Sequence, residues 1–235
     1  MAFSGHICLY WQMGSSSDFF EIFATEPTAA TGVSFARFME LAMYHPTAGY
    51  YTRNFKRVGR DDKADFFTST TFSPVFGELV IAAVVKLLAP AQPADFVFVE
   101  IGAEPGGGIL RNLTHPFGGY QIISLGQPFV LPPNAVVFSN ELFDAQPFHR
   151  VVWRQGRWRE LGVALAGRTL REVELPELTP ELAAHTDRLP KQSEENYHID
   201  MPLRTIPILD RIIGPNWKGL FIAFDYGKFW TELAE

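Results

Sequence analysis

Apolar positions along this chain follow two periods. Behind Ser34, a natural N-cap, Phe35, Phe38, Met39, Ala42 and Met43 recur at helical spacing, and Pro46 and Gly49 end the run. A second helix opens with Ser73 as cap and Pro74 at its first position, and carries Phe76, Leu79, Val80, Ala83, Val84 and Leu87. From Asp95 the pattern shortens to continuous β-rich runs at 96–99, 120–123 and 135–138. Such runs, separated by helix or loop, predict parallel strands covered on both faces. A helix is expected over 109–113, between the first two strands. The stretch 151–161, turning at Gln155-Gly156, predicts an inserted hairpin. Residues 170–200 are polar and punctuated by proline, which predicts loop or accessory structure. A helix at 206–213 and a final buried strand at 219–224 complete the plan.

The expected fold is therefore α/β: a mostly parallel Rossmann-like sheet with an N-terminal helical segment and an inserted β-hairpin. Residues 1–33 show no readable element. Residues 34–92 form a helical, substrate-side region, and 93–235 a ligand-binding domain interrupted around 151–200.

Composition narrows the classes. In 235 residues, 47% are hydrophobic and 20% charged, which describes a substantial core. Twenty basic against twenty-six acidic side chains leave −6, an unfavourable balance for gripping nucleic-acid phosphates. Cys8 is the single cysteine, so neither an internal disulfide nor a cysteine-built zinc site is expected. No metal site is expected from the histidines either. His45 and His149 lack the spacing of paired ligands on a helix, and each reads as a satisfied or exposed histidine. The run 79–89 is broken by Lys86 and too short to span a bilayer. Asp18 and Glu21 stand where a mitochondrial presequence avoids acids. A bacterial cytoplasmic location is expected over the mitochondrial matrix, without membrane insertion.

Two segments carry candidate chemistry. Gly102, Gly106, Gly107 and Gly108 follow the first strand, where open α/β sheets bind ligands. Glycines there allow close approach of a ligand to the backbone. A dinucleotide fingerprint opened at Gly102 would put Glu104 in place of its second glycine, and a carboxylate repels pyrophosphate. This disfavours a nicotinamide-dependent oxidoreductase and favours a cationic or zwitterionic ligand such as S-adenosylmethionine, with Glu100 facing its charged amino-acid end. A tight turn without a ligand is the plain alternative. The second segment, Asn140-Glu141-Leu142-Phe143-Asp144-Ala145-Gln146-Pro147, ends another strand. Its carboxylates can hold a planar guanidinium through paired, charge-assisted hydrogen bonds, or simply lie in a solvated loop. Trp153 and Trp158 read as cross-strand packing in the hairpin.

Five stretches together resemble the MidA-like family of S-adenosylmethionine-dependent methyltransferases, which includes a mitochondrial complex I assembly factor that methylates an arginine. They are Phe35-Ala36-Arg37-Phe38-Met39 with Tyr44-His45-Pro46 and Gly49-Tyr50-Tyr51; Asp65-Phe66-Phe67-Thr68-Ser69 with Phe76-Gly77; Glu100-Ile101-Gly102; Asn140 to Ala145 with Pro147; and Asp225-Tyr226-Gly227. Their order and spacing match over about residues 34–227. The resemblance implies S-adenosylmethionine as cofactor, held by Glu100, Gly102, Gly106, Ser124 and Asn140. It implies Glu141, Asp144 and Asp65 as catalytic residues, and an arginine on a partner protein, such as a respiratory-complex subunit, as acceptor.

This chain departs from the family in four places, one of them the compact segment between Tyr120 and Asn140. Ser124 stands near the end of the second strand, where the family carries an acid able to bind both ribose hydroxyls. Ala103-Glu104-Pro105 replaces a shorter glycine-rich form. The family continues beyond its Asp-Tyr-Gly strand, so the last strands of the family sheet are expected to be missing here. These departures suit a second reading, a family member that binds a partner as an assembly factor without transferring methyl.

Overall fold

The computed structural model describes residues 17–52, 74–103, 107–214 and 216–227. Two compact units emerge: one from described residues within Met1–Asn54 and Gln146–Ile206, the other from those within Phe55–Ala145 and Pro207–Gly227.

In the second unit four parallel strands form the sheet: β2 (Val97–Ile101), β3 (Gly119–Ile123), β4 (Asn134–Asn140) and β9 (Lys218–Phe224). Their order is β3-β2-β4-β9. Both faces are covered over the central strands β2 and β4, as their continuous apolar runs require, while β9 stays exposed or half-buried along its length. One face takes α3 (Pro74–Leu88), whose Val80, Val84 and Leu88 pack with Phe98, Phe138, Val136 and Leu110. On the other face Ile208 and Ile212 of α5 (Ile206–Ile213) meet Val99, Ile101 and Val137. Phe98 and Phe138 are fully buried, each contributing on the order of 2–3 kcal/mol of burial free energy.

The helix expected over 109–113 does not form. Those residues make tight turns, with Arg111 N–H donating to Gly108 O and Leu113 N–H to Leu110 O, and Asn112 adopts a φ of 72°. Gly108 at positive φ and the Glu100 carboxylate, which takes the Ile109 amide, hold this short stretch in turns. Ile109 and Leu110 instead bury as part of the core.

The first unit holds α1 (Ser17–Ala24), β1 (Val33–Ser34), α2 (Phe35–Tyr44) and a five-stranded antiparallel sheet. Ser34 caps α2 as expected, its side chain accepting the Arg37 amide at 3.3 Å. The expected hairpin is present as β5 (His149–Arg154) and β6 (Arg157–Ala166), with Gln155 and Gly156 at positive φ in the turn. Trp153 and Trp158 face each other across it, edge to face with centroids 5.2 Å apart. The hairpin is part of more structure than the sequence indicated. The stretch 170–200 contributes β7 (Thr169–Glu174), a short α4 (Pro180–Ala183) and β8 (His198–Met201), which pair onto β6 and β5. Alternation along β8, with Ile199 and Met201 buried, is too short to outweigh the surrounding polar residues in a sequence window.

Arg150 of β5 is buried here against the stacked rings of Phe35 and Phe148, and its guanidinium makes a bidentate pair with Asp200 at 2.7 and 2.9 Å. His149 is buried and paired with acids. Its Nδ1 lies 2.7 Å from buried Glu160, and its Nε2 is 3.2 Å from Glu181.

Candidate functional site

The parallel sheet reverses its order at β2. The chain leaves β2 to form β3 on one side, then crosses to form β4 on the other. A crevice at the carboxyl ends of strands flanking such a reversal is the usual ligand position in open α/β sheets. Register brings the sequence candidates to this end. Ile101 pairs with Ile123 and with Ser139, so Gly102, Ser124 and Asn140 stand level at the carboxyl ends of three adjacent strands.

Gly102 leaves β2 at φ +82°, and its amide donates to Ile123 O at 2.9 Å. A Cβ there would come within 3.0 Å of Leu142 Cδ1, so the turn after β2 lies against the turn after β4. Gly108 is the tighter position. At φ +113° its missing Cβ would fall 2.1 Å from Tyr120 Oη and 3.2 Å from Glu100 Oε2.

Glu100 explains that crowding. Its buried carboxylate accepts the Ile109 amide at 2.8 Å and the Tyr120 hydroxyl on the same oxygen, Oε2. Burial pushes the Glu100 carboxyl above its ordinary range, and the hydrogen bonds from Tyr120 and Ile109 pull the other way. Burial and the neighbouring carboxylate together push the Tyr120 phenol up. Glu100 thus shapes the glycine turn from within. Ser124 sits beside the same turn, its Oγ 3.4 Å from Ala103 O and its amide bonded to Gln127 Oε1 at 2.9 Å.

At the end of β4 the chain reverses through Glu141, at φ +52°. A non-glycine residue in that region is strained and persists only where its surroundings hold it. The Glu141 amide donates to Phe224 O at 2.8 Å. Beyond β9, Asp225 Oδ2 accepts the Phe143 amide at 2.7 Å, and Oδ1 accepts those of Asp144 at 3.2 Å and Tyr226 at 2.9 Å. The exposed Tyr226 phenol lies 3.5 Å from Glu141 Oε1. The negative field of Glu141, then partial burial, then Asp144 and Asp225 push that phenol up.

Glu100, Gly102, Ser124, Asn140, Glu141 and Asp144 therefore all occupy the carboxyl end of the sheet. Asp65 and Gly106, like Glu104, lie outside the described residues. Sequence reasoning assigned no role to Tyr120 or Asp225. The triplet Asp225-Tyr226-Gly227 at a strand end was the available signal for the second; nothing local marked Tyr120, whose partner is twenty positions away.

The loops at 124–127, 140–145 and 225–227 offer acids, amides and hydroxyls and no lysine or arginine. That donor set repels phosphate and suits a ligand carrying a sulfonium and an ammonium group. Buried Ser139, at the same end of β4, has a hydroxyl without a hydrogen-bond partner. Both features fit S-adenosylmethionine. Among the described residues no group of three or more His, Cys, Asp or Glu side chains is arranged to hold a metal, and no helix is long and apolar enough to cross a membrane.

Residues 126–233 match the family model described as "Putative S-adenosyl-L-methionine-dependent methyltransferase". That match covers under half of the chain and agrees with the methyltransferase resemblance in kind. The methyltransferase-like fold is shared with two solved structures from Burkholderia thailandensis. One, a "likely methyl transferase" bound to S-adenosyl-homocysteine, is 22% identical with a TM-score of 0.73, over 94% of this chain and 64% of that one. The other, an uncharacterized protein of the same superfamily in its native form, is 20% identical with a TM-score of 0.69, over 96% of this chain and 64% of that one. This chain thus spans under two thirds of the length of either neighbour. No protein of curated function matches it.

Proposed function

We propose that this chain is the catalytic part of an S-adenosylmethionine-dependent methyltransferase that modifies an arginine on a partner protein, in the cytoplasm. The observation that carries the reading is the meeting of two features at one end of the sheet. They are a glycine turn at the strand-order reversal, and a carboxylate-rich turn braced beside it.

When bound, S-adenosylmethionine supplies an electrophilic methyl group on a positively charged sulfur. The residues suited to hold it are Gly102, Ser124 and Asn140, with Glu100 holding the turn at Ile109 in shape; Gly106 is assigned to the cofactor by the family resemblance. Ser124 offers one hydrogen bond where an acid would offer two. Glu141 and Asp144 are suited to the acceptor. Paired hydrogen bonds from a guanidinium to carboxylates fix its plane, and so direct a nitrogen lone pair. Positioning of this kind is the main resource for an in-line displacement. Asp65 is assigned an assisting role by the family resemblance.

A second reading has one specific observation behind it. Ser124 replaces the ribose-binding acid and rests against the chain's own Ala103 carbonyl, which suits a family member that binds its partner without methyl transfer. Calorimetric titration with S-adenosylhomocysteine, followed by labelling of cell-extract proteins from methyl-labelled S-adenosylmethionine, separates the two. Saturable binding with transfer to arginine supports the enzyme. Transfer to another residue type overturns the arginine assignment, and absence of any transfer leaves the binding protein.

A further inference from the structure

We infer that Asp225 is a positioning residue of this site: its carboxylate clamps the turn that presents Glu141 and Asp144. The inference rests on the methyltransferase reading above, and concerns how its acceptor side is held.

The turn after β4 carries backbone strain at its first residue. Glu141 takes a left-handed conformation that its side chain disfavours. The compensation comes from the end of β9, some eighty residues on. Phe224 O takes the Glu141 amide, and both Asp225 oxygens take the amides of Phe143 and Asp144. The bond from Tyr226 N–H to Asp225 Oδ1 is the ordinary local turn of an aspartate at a strand end. The bonds from Phe143 and Asp144 are not, because they serve no local cap and tie two distant loops together.

The chemistry requires a carboxylate. Amides from two residues point at two different oxygens, and only an ionised acid accepts on both. Asparagine would present an NH2 group toward one donor. Bonds to an ionised acceptor are also stronger than neutral ones. With the amides of Glu141, Phe143 and Asp144 all held from β9, the two acids have a fixed backbone beneath them. Tyr226, next in the chain, adds its phenol beside Glu141.

The test compares the parent chain with Asp225→Asn and Asp225→Ser by amide hydrogen exchange, S-adenosylhomocysteine titration and methyl transfer to extract proteins at varied S-adenosylmethionine. In Asp225→Asn, exchange at Phe143 and Asp144 should rise by on the order of tenfold, with 136–138 still protected. Maximal transfer should fall by on the order of tenfold or more, while S-adenosylhomocysteine affinity and KM for S-adenosylmethionine stay within about threefold. Asp225→Ser, which keeps one small acceptor, should fall between. Unchanged exchange, unchanged transfer, or cofactor affinity lost in step with transfer overturns the inference. A parent chain that binds no S-adenosylhomocysteine sinks the methyltransferase reading itself, and the inference with it. A parent that binds and transfers while the variants match it sinks the inference alone.

Discussion

The Tyr120 hydroxyl on β3 donates to Glu100 Oε2 on β2, and that oxygen also receives the amide of Ile109. One buried acid thereby joins two adjacent strands to the turn that follows them. The pair lies on the α3 side of the sheet, and Tyr120 packs against the core that Phe98 and Phe117 help to form. Replacing Tyr120 by Phe removes one donor from a buried carboxylate and leaves its ring in place. Stability should fall by about 1–3 kcal/mol in urea unfolding.

The same carboxylate predicts a pH dependence. Burial raises the Glu100 carboxyl above its ordinary 4.5, so the folded chain holds that proton more tightly than the unfolded chain. Its contribution is fully present below 4.5 and is lost as pH rises through the folded value. Glu100→Gln keeps an acceptor for Tyr120 and cannot ionise. The stability of the parent relative to this variant should decline as pH rises above 4.5, then level off. Urea midpoints measured in steps from pH 4 to 8 check this; a flat difference would refute it.

His149 gives a second, separate titration in the antiparallel-sheet unit. Burial alone would lower it, but hydrogen bonding and charge from Glu160, with Glu181 adding, outweigh burial and raise it above 6.5. The imidazolium is thus favoured in the fold. Stability from it is fully present below 6.5 and is lost as pH climbs through the folded value. The advantage of the parent over His149→Gln should therefore be largest in mild acid and shrink in alkali, measured by the same midpoints.

Gly108 tests the turn itself. An alanine there must hold a φ of +113° and displace Tyr120 Oη from 2.1 Å. Backbone strain alone should cost roughly 1–3 kcal/mol. S-adenosylhomocysteine affinity, read by calorimetry, should drop as the turn shifts. An alanine variant with parental stability and affinity would show that the turn tolerates the side chain.

Glu141→Gln keeps the shape of the side chain and removes its charge. If Glu141 orients a cationic acceptor, methyl transfer should fall by on the order of tenfold to a hundredfold, with S-adenosylhomocysteine binding little changed. Lost cofactor binding would move Glu141 to the cofactor side.

Much of this protein could be read in one dimension. Ser34, Pro74 and the helical spacing behind each are local signals, and the helices stand where they indicate. The strands at β2 and β4 were legible because a strand buried on both faces must be apolar throughout, whatever its partners; the runs at β3 and β9 marked strands too, but β9, expected to be buried, keeps no buried residue because it flanks only β4 among the described strands. Gln155-Gly156 marked its hairpin for a similarly local reason, a turn that needs positive φ. The helix expected at 109–113 failed because the competing demand on its residues came from elsewhere in the chain. Glu100, on the neighbouring strand, takes the Ile109 amide, and the core takes the Ile109 and Leu110 side chains. Sequence alone likewise brought Glu100, Gly102, Asn140, Glu141 and Asp144 to strand ends, since strand ends are punctuated by glycines and acids. Which of these acids faces inward and which braces a loop was decided only by pairing. Glu100 is buried because β2 lies between β3 and β4, and Asp225 meets Phe143 and Asp144 because β9 runs beside β4. A hydrogen bond across eighty residues leaves no periodicity behind; it exists only once the sheet has set the register.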